Sequence, residues 1–315
     1  MEPQIADDVP GIALVEWQFP TTTTADLRVD PLQEQLIAED ARRARAFYPN
    51  LSTENKREDD YGLKTLTDHA ESSYRAYAAG RADAAPPFLL NISPRLPAAL
   101  QAVIDHGVRV VSFSVGSKHR LDGLDDVVRA NPGVLFVVST PHLPSDEQSV
   151  EAFGERPSVL ATGGFPNVLL AGCLRYRGTQ IDDDRAGKPL GTAANPFLVE
   201  NQPTATTTPQ RFMMSCDSSR MYGGAGSTSS AAPHLASLLQ LILERRSDLG
   251  LTTTAADALA DLDRVTHRAM AVEESGEVHE VSYFTLDTVL LNAHQPLLTD
   301  SIWCCELAHP DPLPL

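Results

Sequence analysis

Short apolar runs alternate along the chain with segments whose apolar residues recur at helical spacing. Gly, Pro and polar residues bound the apolar runs, which is typical of strands buried on both faces of a parallel sheet. Residues 96–106 carry apolar positions at helical spacing and are followed by Gly107, where a helix is expected to end. The pattern predicts strands at 11–17, 87–92, 108–117, 133–138 and 278–286, and helices at 32–48, 96–106, 124–130, 229–246 and 255–268.

This alternation of strands and helices predicts the fold class. It indicates an α/β protein with a mostly parallel sheet and helices on both faces, hence three layers. A chain of 315 residues is long enough to bury one large core, and no repeat or second domain emerges. We therefore expect a single domain over 1–315, with its core at about 10–270 and a C-terminal extension at about 276–315.

Charge and cysteine usage exclude several classes of function. The formal net charge of -17 argues against nucleic acid and against anionic membranes as partners, because both require clustered Lys and Arg. The N-terminus is acidic and no apolar run approaches membrane-spanning length, which favours a cytoplasmic protein. The four cysteines, Cys173, Cys216, Cys304 and Cys305, have no C-x-x-C spacing, so they indicate neither a zinc site nor a disulfide framework. We expect no metal and no cofactor.

The stretch from Tyr222 to Arg246 carries the strongest chemical signal. Glycines and small hydroxyl residues lead directly into an apolar segment, so Ser229 lies where a loop becomes a helix. A Ser there can serve as an N-cap, or as a nucleophile beside the positive end of the helix dipole. The run T-S-S-A-A-P-H-L-A at 228–236 resembles the nucleophile motif G-T-S-x-A-x-P-x-V-A of the subtilisin-like serine peptidases, with Ser227 in place of the leading Gly.

The resemblance implies a base and an acid in the order acid, His, Ser. The first strand, 11–17, resembles the family strand that ends in the catalytic Asp, and here that position holds Glu16. His69 is predicted to open a helix after Thr67 and Asp68, where the family has H-G-T-H-V-A. The resemblance thus implies a catalytic triad of Glu16, His69 and Ser229. A solvent-facing acid and a structural histidine are the alternatives for the first two.

Other segments resemble the family's substrate-binding elements. Ser114, Val115 and Gly116 match its Ser-Leu-Gly segment, which pairs with the backbone of the substrate. In the family an Asn that donates to the oxyanion follows the next strand, and this sequence has His142 in that place. The resemblance also implies a strand at 158–164 and pocket residues at Ser139, Thr140 and Gly163.

Three functions remain open from the sequence. The resemblance implies a three-layer subtilisin-like fold and a serine endopeptidase that cleaves peptide bonds, with narrow specificity in intracellular processing. The substitutions of Asp by Glu16 and of Asn by His142 leave open an impaired enzyme that only binds a peptide or a partner protein. A peptide ligase or cyclase could use the same acyl-transfer chemistry. In each case the predicted partner is a peptide or protein, and the sequence does not indicate an oligomeric state.

Overall fold

A computed structural model describes residues 11–16, 69–78, 86–114, 122–139, 165–175, 192–193, 196–200, 211–215, 228–272 and 276–284. The strands are β1 (Gly11–Glu16), β2 (Phe88–Asn91), β3 (Val108–Phe113), β4 (Leu135–Ser139), β5 (Val168–Arg175), β6 (Phe197–Glu200), β7 (Arg211–Ser215), β8 (His267–Val272) and β9 (Val278–Phe284). The helices are α1 (69–78), α2 (Leu96–Asp105), α3 (Leu124–Ala130), α4 (Thr228–Asp248) and α5 (Ala255–Val265).

The described strands form one sheet with a parallel half and a mixed half. Strands β2, β1, β3, β4 and β5 lie side by side in that order, and all four pairings among them are parallel. Beyond β5, the sheet continues through β6, β8 and β9 to β7, which pairs back onto β5. The mixed half includes antiparallel pairings of β5 with β6 and of β8 with β9.

Helices cover both faces of the parallel half. On one face, Ile12 and Leu14 of β1 belong to the same buried cluster as residues of α1, α4 and α5, which we call layer A. On the other face, Ala13 and Val15 belong to a second cluster with residues of α2 and α3, which we call layer B. The predicted α/β class, with helices on both faces of a mostly parallel sheet, is confirmed.

Helix α4 is the central helix of layer A and is buried on all sides. Residues 231–243 are all buried, and the helix lies against β1, β3, β4, β5 and β7 as well as α5. A helix whose apolar residues extend around most of its circumference belongs in the interior of a large domain, and here the polar His234, Ser237 and Gln240 are buried with them. Its sequence of small and aliphatic residues, with Ala231, Ala232 and Ala236 fully buried, permits this close approach.

Most of the predicted element boundaries are close to those observed, and the exceptions have physical causes. Gly107 follows α2 with a φ of 103°, a left-handed conformation that suits glycine, and the helix ends there as predicted. Helix α5 ends at Val265 instead of 268, because Thr266 is extended and leads into β8. Strands β5, β6, β7 and β8 were not predicted from the sequence. The predictions at 32–48 and 158–164 lie outside the described residues.

One cysteine corrects an expectation from the sequence. Cys173 of β5 is buried in the core cluster of layer A and forms a disulfide bond, whose partner lies outside the described residues. Spacing along the chain does not reveal cysteines that the fold brings together, which is why the pattern gave no sign of this bond.

Candidate active site

The strand order places a crevice at the carboxyl end of β1. From β1 the chain passes through α1, in layer A, to β2, which lies on one side of β1. From β2 it passes through α2, in layer B, to β3, which lies on the other side of β1. The direction of winding therefore reverses at β1. In open α/β sheets, ligands bind outside the carboxyl ends of the strands at such a reversal. Glu16 is the last residue of β1, so it lies at this position.

Four polar residues follow one another across this edge of the sheet. Glu16 is in register with Asn91 on β2, and the pairing of Val15 with Phe113 brings Ser114 beside Glu16 on the other side. The pairing of Phe113 with Val138 then places Ser139 next to Ser114. We call Asn91, Glu16, Ser114 and Ser139 the polar row. Since side chains alternate along each strand, all four belong to the face that carries layer A.

Glu16 and His69 are in direct polar contact at this edge. Oε2 of Glu16 lies 2.9 Å from Nδ1 of His69. The Glu16 side chain is 1% exposed and that of His69 is 24% exposed, so the pair lies at the boundary between the core and solvent. An ionised carboxylate only accepts hydrogen bonds, so in such a pair Nδ1 donates and Nε2 is left as the acceptor. The structure therefore brings together two residues that are 53 positions apart in the chain.

The local sequence fixes both members of this pair. The backbone of Glu16 is held in the sheet, where its carbonyl accepts a 2.8 Å hydrogen bond from the N–H of Ile92. Ala70, Tyr74 and Tyr77 are buried at helical spacing and attach α1 to the core of layer A. His69, immediately before Ala70, is therefore carried on a helix whose position the core determines.

Ser229 lies in the first turn of α4, where it is half-buried. The first N–H groups of a helix have no acceptors within the helix itself. Pro233 has no N–H, so the carbonyl of Ser229 lacks its usual helical partner. Ala231 of this turn shares the core cluster that contains Ala70. No hydrogen bond joins Ser229 to His69 among the described residues, which include both.

Two buried polar residues near the predicted site were not identified from the sequence. Asn91 is 3% exposed and extends the polar row beyond Glu16. Asn91 could have been found from the sequence, because it is a polar residue near the end of an apolar run, in the same way as Glu16. His234, on the turn of α4 that follows Ser229, is 1% exposed, and burial lowers the pKa of its imidazole to about 4. It is therefore a neutral core residue at physiological pH.

Several predicted site residues lie outside the described part of the chain. They are Val115, Gly116, Thr140, His142 and Gly163. Ser114 and Ser139 are described and both belong to the polar row, with Ser114 buried and Ser139 half-buried. No group of His, Cys, Asp and Glu suited to a metal ion occurs in the described ranges. Likewise, none of the helices described is long and apolar enough to cross a membrane.

Comparison with known proteins gives structural matches only. No family model matches the chain, and no curated protein matches its sequence. The Patellamide maturation protease PatA is 13% identical, with 91% of this chain and 97% of that chain covered and a TM-score of 0.45. The PatG macrocyclase domain is 14% identical over 79% of this chain and 80% of that chain, with a TM-score of 0.43. The Prenylagaramide maturation protease PagA is 11% identical over 91% and 95%, with a TM-score of 0.44. At these identities and TM-scores, no activity is transferred from those proteins to this chain.

Proposed function

We propose that the chain is a serine endopeptidase with Ser229 as nucleophile, His69 as general base and Glu16 as the acid that orients the imidazole. The observation that carries this proposal is the 2.9 Å contact between buried Glu16 and Nδ1 of His69 at the carboxyl edge of the sheet. A carboxylate on Nδ1 fixes the tautomer whose Nε2 can accept a proton. It also stabilises the imidazolium that forms when the proton is transferred.

The reaction would proceed by acyl transfer. Oγ of Ser229 attacks the carbonyl carbon of the peptide while its proton moves to Nε2 of His69. The C–N bond then breaks as His69 returns this proton to the leaving amine. Water attacks the acyl-enzyme in the same way, giving a proton to His69 and releasing the carboxylic acid as Ser229 regains its own. The N–H of Ser229 and the ring of His142 are the proposed donors to the oxyanion.

The polar row supplies the proposed floor of the substrate cleft. Ser114 lies next to Glu16 at the end of β3, and Ser139 lies next to Ser114 at the end of β4, where we propose that an extended peptide passes. We propose that Ser114, Val115 and Gly116 pair with the backbone of the substrate and that Ser139, Thr140 and Gly163 line the pocket. Recognition through the backbone would admit peptides or proteins without needing a charged pocket.

The proposed triad requires Oγ of Ser229 to come within hydrogen-bond reach of Nε2 of His69 when substrate is bound. Catalytic hydrogen bonds are often long or poorly aligned in unliganded enzymes and tighten when substrate binds.

Labelling with a fluorophosphonate tests the proposal. We expect the wild-type chain and Ser230→Ala to be labelled, whereas Ser229→Ala is not and His69→Ala is slower by at least about 10³-fold. Ser230→Ala is the matched control, since it removes a neighbouring hydroxyl of the same helical turn. A wild-type chain that binds peptides but is never labelled would refute the peptidase and leave a binding protein. A labelled chain that passes its acyl group to an added amine in preference to water would be a ligase.

We further propose a single domain and a cytoplasmic location. β9 pairs with β7 and β8, which joins residues 278–284 to the same sheet as the catalytic edge. The disulfide at Cys173 counts against this location, because the cytosol keeps thiols reduced, and it gives the location a direct test. Cys173 is buried, so free thiols are trapped as cells are lysed in denaturant: modification of Cys173 is expected if the location is cytoplasmic, and an intact disulfide would contradict it.

A further inference from the structure

The disulfide bond of Cys173 has one of three possible partners. Cys173 lies in β5, where it is 1% exposed and disulfide-bonded. The other cysteines of the chain are Cys216, Cys304 and Cys305. A disulfide joins residues whose Cα atoms are about 4.4–6.8 Å apart. The strand register around Cys173 therefore discriminates among the three candidates.

The register favours Cys216. Cys173 is in register with Met214 of β7, which runs parallel to β5. Cys216 comes two positions after Met214 and one position after Ser215, the last residue of β7. Because side chains alternate along a strand, the face of the sheet that carries Cys173 is reached again at position 216. Diagonal neighbours on adjacent strands have Cα atoms about 7–8 Å apart and Cβ atoms closer together, so a slight bend at the end of β7 brings position 216 within bonding range.

The two cysteines near the C-terminus have no comparable constraint. The strand that precedes them, β9, ends at Phe284, which pairs with Met214. Cys304 comes 20 positions later along the chain, and Cys305 follows it. The entropic cost of closing a loop grows with its length, so a bond from Cys173 to either of them orders a longer segment than a bond to Cys216 does.

We propose that Cys173 and Cys216 are joined, and that the bond anchors the segment that leads to Ser229. Residues 217–227 connect Cys216 to the start of α4, and the far end of this connection is fixed because Ala231 is fully buried in the core. The bond fixes the near end to β5, in the middle of the sheet. A dithiol reductant transfers two electrons and two protons to the bond, which becomes two thiols while the dithiol becomes a disulfide. The position of Ser229 then depends on the redox state of the chain. This effect on catalysis rests on the proposed function, whereas the connectivity does not.

Peptide mapping of the unreduced chain tests the connectivity. Trypsin, which cleaves after Lys and Arg except before Pro, places the cysteines in three separate peptides: 130–175 holds Cys173, 212–220 holds Cys216, and 269–315 holds Cys304 and Cys305. With free thiols alkylated before digestion, mass spectrometry should find 130–175 linked to 212–220, and reductant should separate the two. A link between 130–175 and 269–315 would overturn the proposal.

The rate of fluorophosphonate labelling tests the anchoring. We expect Cys216→Ser to slow labelling about 10-fold, since a misplacement of about 1 Å can cost about 10²-fold in rate. Dithiothreitol should slow the folded wild-type chain to the same rate and should not slow Cys216→Ser further. The matched control, Cys304→Ser combined with Cys305→Ser, should keep the wild-type rate within about 2-fold together with its response to reductant.

The two readouts separate this inference from the proposed function. If the wild-type chain is never labelled, the peptidase fails while the peptide map still decides which cysteine is the partner of Cys173. A bond that only stabilises the fold would lower the thermal midpoint on reduction and leave the labelling rate of the folded chain unchanged. That result, or an equal effect of dithiothreitol on wild type and on Cys216→Ser, would overturn the anchoring.

Discussion

Replacing Glu16 by the aspartate that the subtilisin-like peptidases use should impair this chain. The change removes one methylene, which withdraws the carboxylate by about 1.5 Å, so the 2.9 Å contact with His69 would open to about 4.4 Å. Protein hydrogen bonds to nitrogen donors end near about 3.2 Å. The gap cannot close easily, because Glu16 is paired with β2, the preceding Val15 is paired with β3, and Ala70 anchors α1 in the core.

The magnitude follows from the bond that is lost. A hydrogen bond to a charged group contributes about 1.5–3 kcal/mol, so Glu16→Asp should slow fluorophosphonate labelling by about 10- to 150-fold at unchanged probe affinity. Glu71→Asp is the matched control, because it shortens an acidic side chain on α1, the helix that carries His69, in a partly exposed ion pair. It should change the labelling rate by less than about 2-fold. Labelling of Glu16→Asp as fast as wild type would refute the idea that the length of Glu16 is fitted to this site.

Three further predictions concern stability. Burial lowers the pKa of His234 from 6.5 in the unfolded chain to about 4 in the folded chain. The free energy of unfolding therefore keeps its full value with respect to this group above pH 6.5 and falls by about 3 kcal/mol as the pH is lowered to 4. In urea unfolding, the free energy of unfolding should therefore differ less between pH 7 and pH 4.5 for His234→Gln than for wild type. Equal differences in the two proteins would contradict the prediction. Reduction of the disulfide at Cys173 should lower the free energy of unfolding, measured by thermal unfolding, by about 2–4 kcal/mol. The stability of Cys173→Ala should not change when reductant is added. Asp261→Asn should lower the free energy of unfolding by about 3 kcal/mol, because this buried carboxylate accepts hydrogen bonds from two arginines. Asp263→Asn, which breaks an exposed ion pair, should lower it by less than about 1 kcal/mol. Similar losses in the two variants would show that burial is not decisive.

Apolar strands and their end residues were predictable because burial on two faces leaves a strong local signal. β1 and β4 are apolar except for their last residues, and β3 is apolar except for Arg109 and Ser112; Glu16 ends the first of these strands. β5 carries a comparable run, V-L-L-A-G-C-L-R, and could have been predicted by the same rule. β6 and β7 could not, because they are short segments in Thr- and Pro-rich surroundings whose extended form depends on pairing with β5 and its neighbours.

The site was predictable only in part because its geometry depends on register. The order of motifs indicated Glu16 and His69, and their contact is present at 2.9 Å. The polar row was not predictable, since nothing in the sequence states that Asn91 and Glu16 share a register position. The same holds for His234, whose burial follows from the central place of α4, a property of the assembled layers.

The distance from Oγ of Ser229 to Nε2 of His69 is the most direct test of the proposed triad. A crystal structure of the chain with a bound peptide phosphonate would measure it, with the inactive Ser229→Ala variant and a substrate peptide as the companion structure. We expect Oγ to be joined to phosphorus and to lie within about 3.2 Å of Nε2, with Glu16 still on Nδ1. A phosphonate bound elsewhere, or His69 turned away from the start of α4, would contradict the triad.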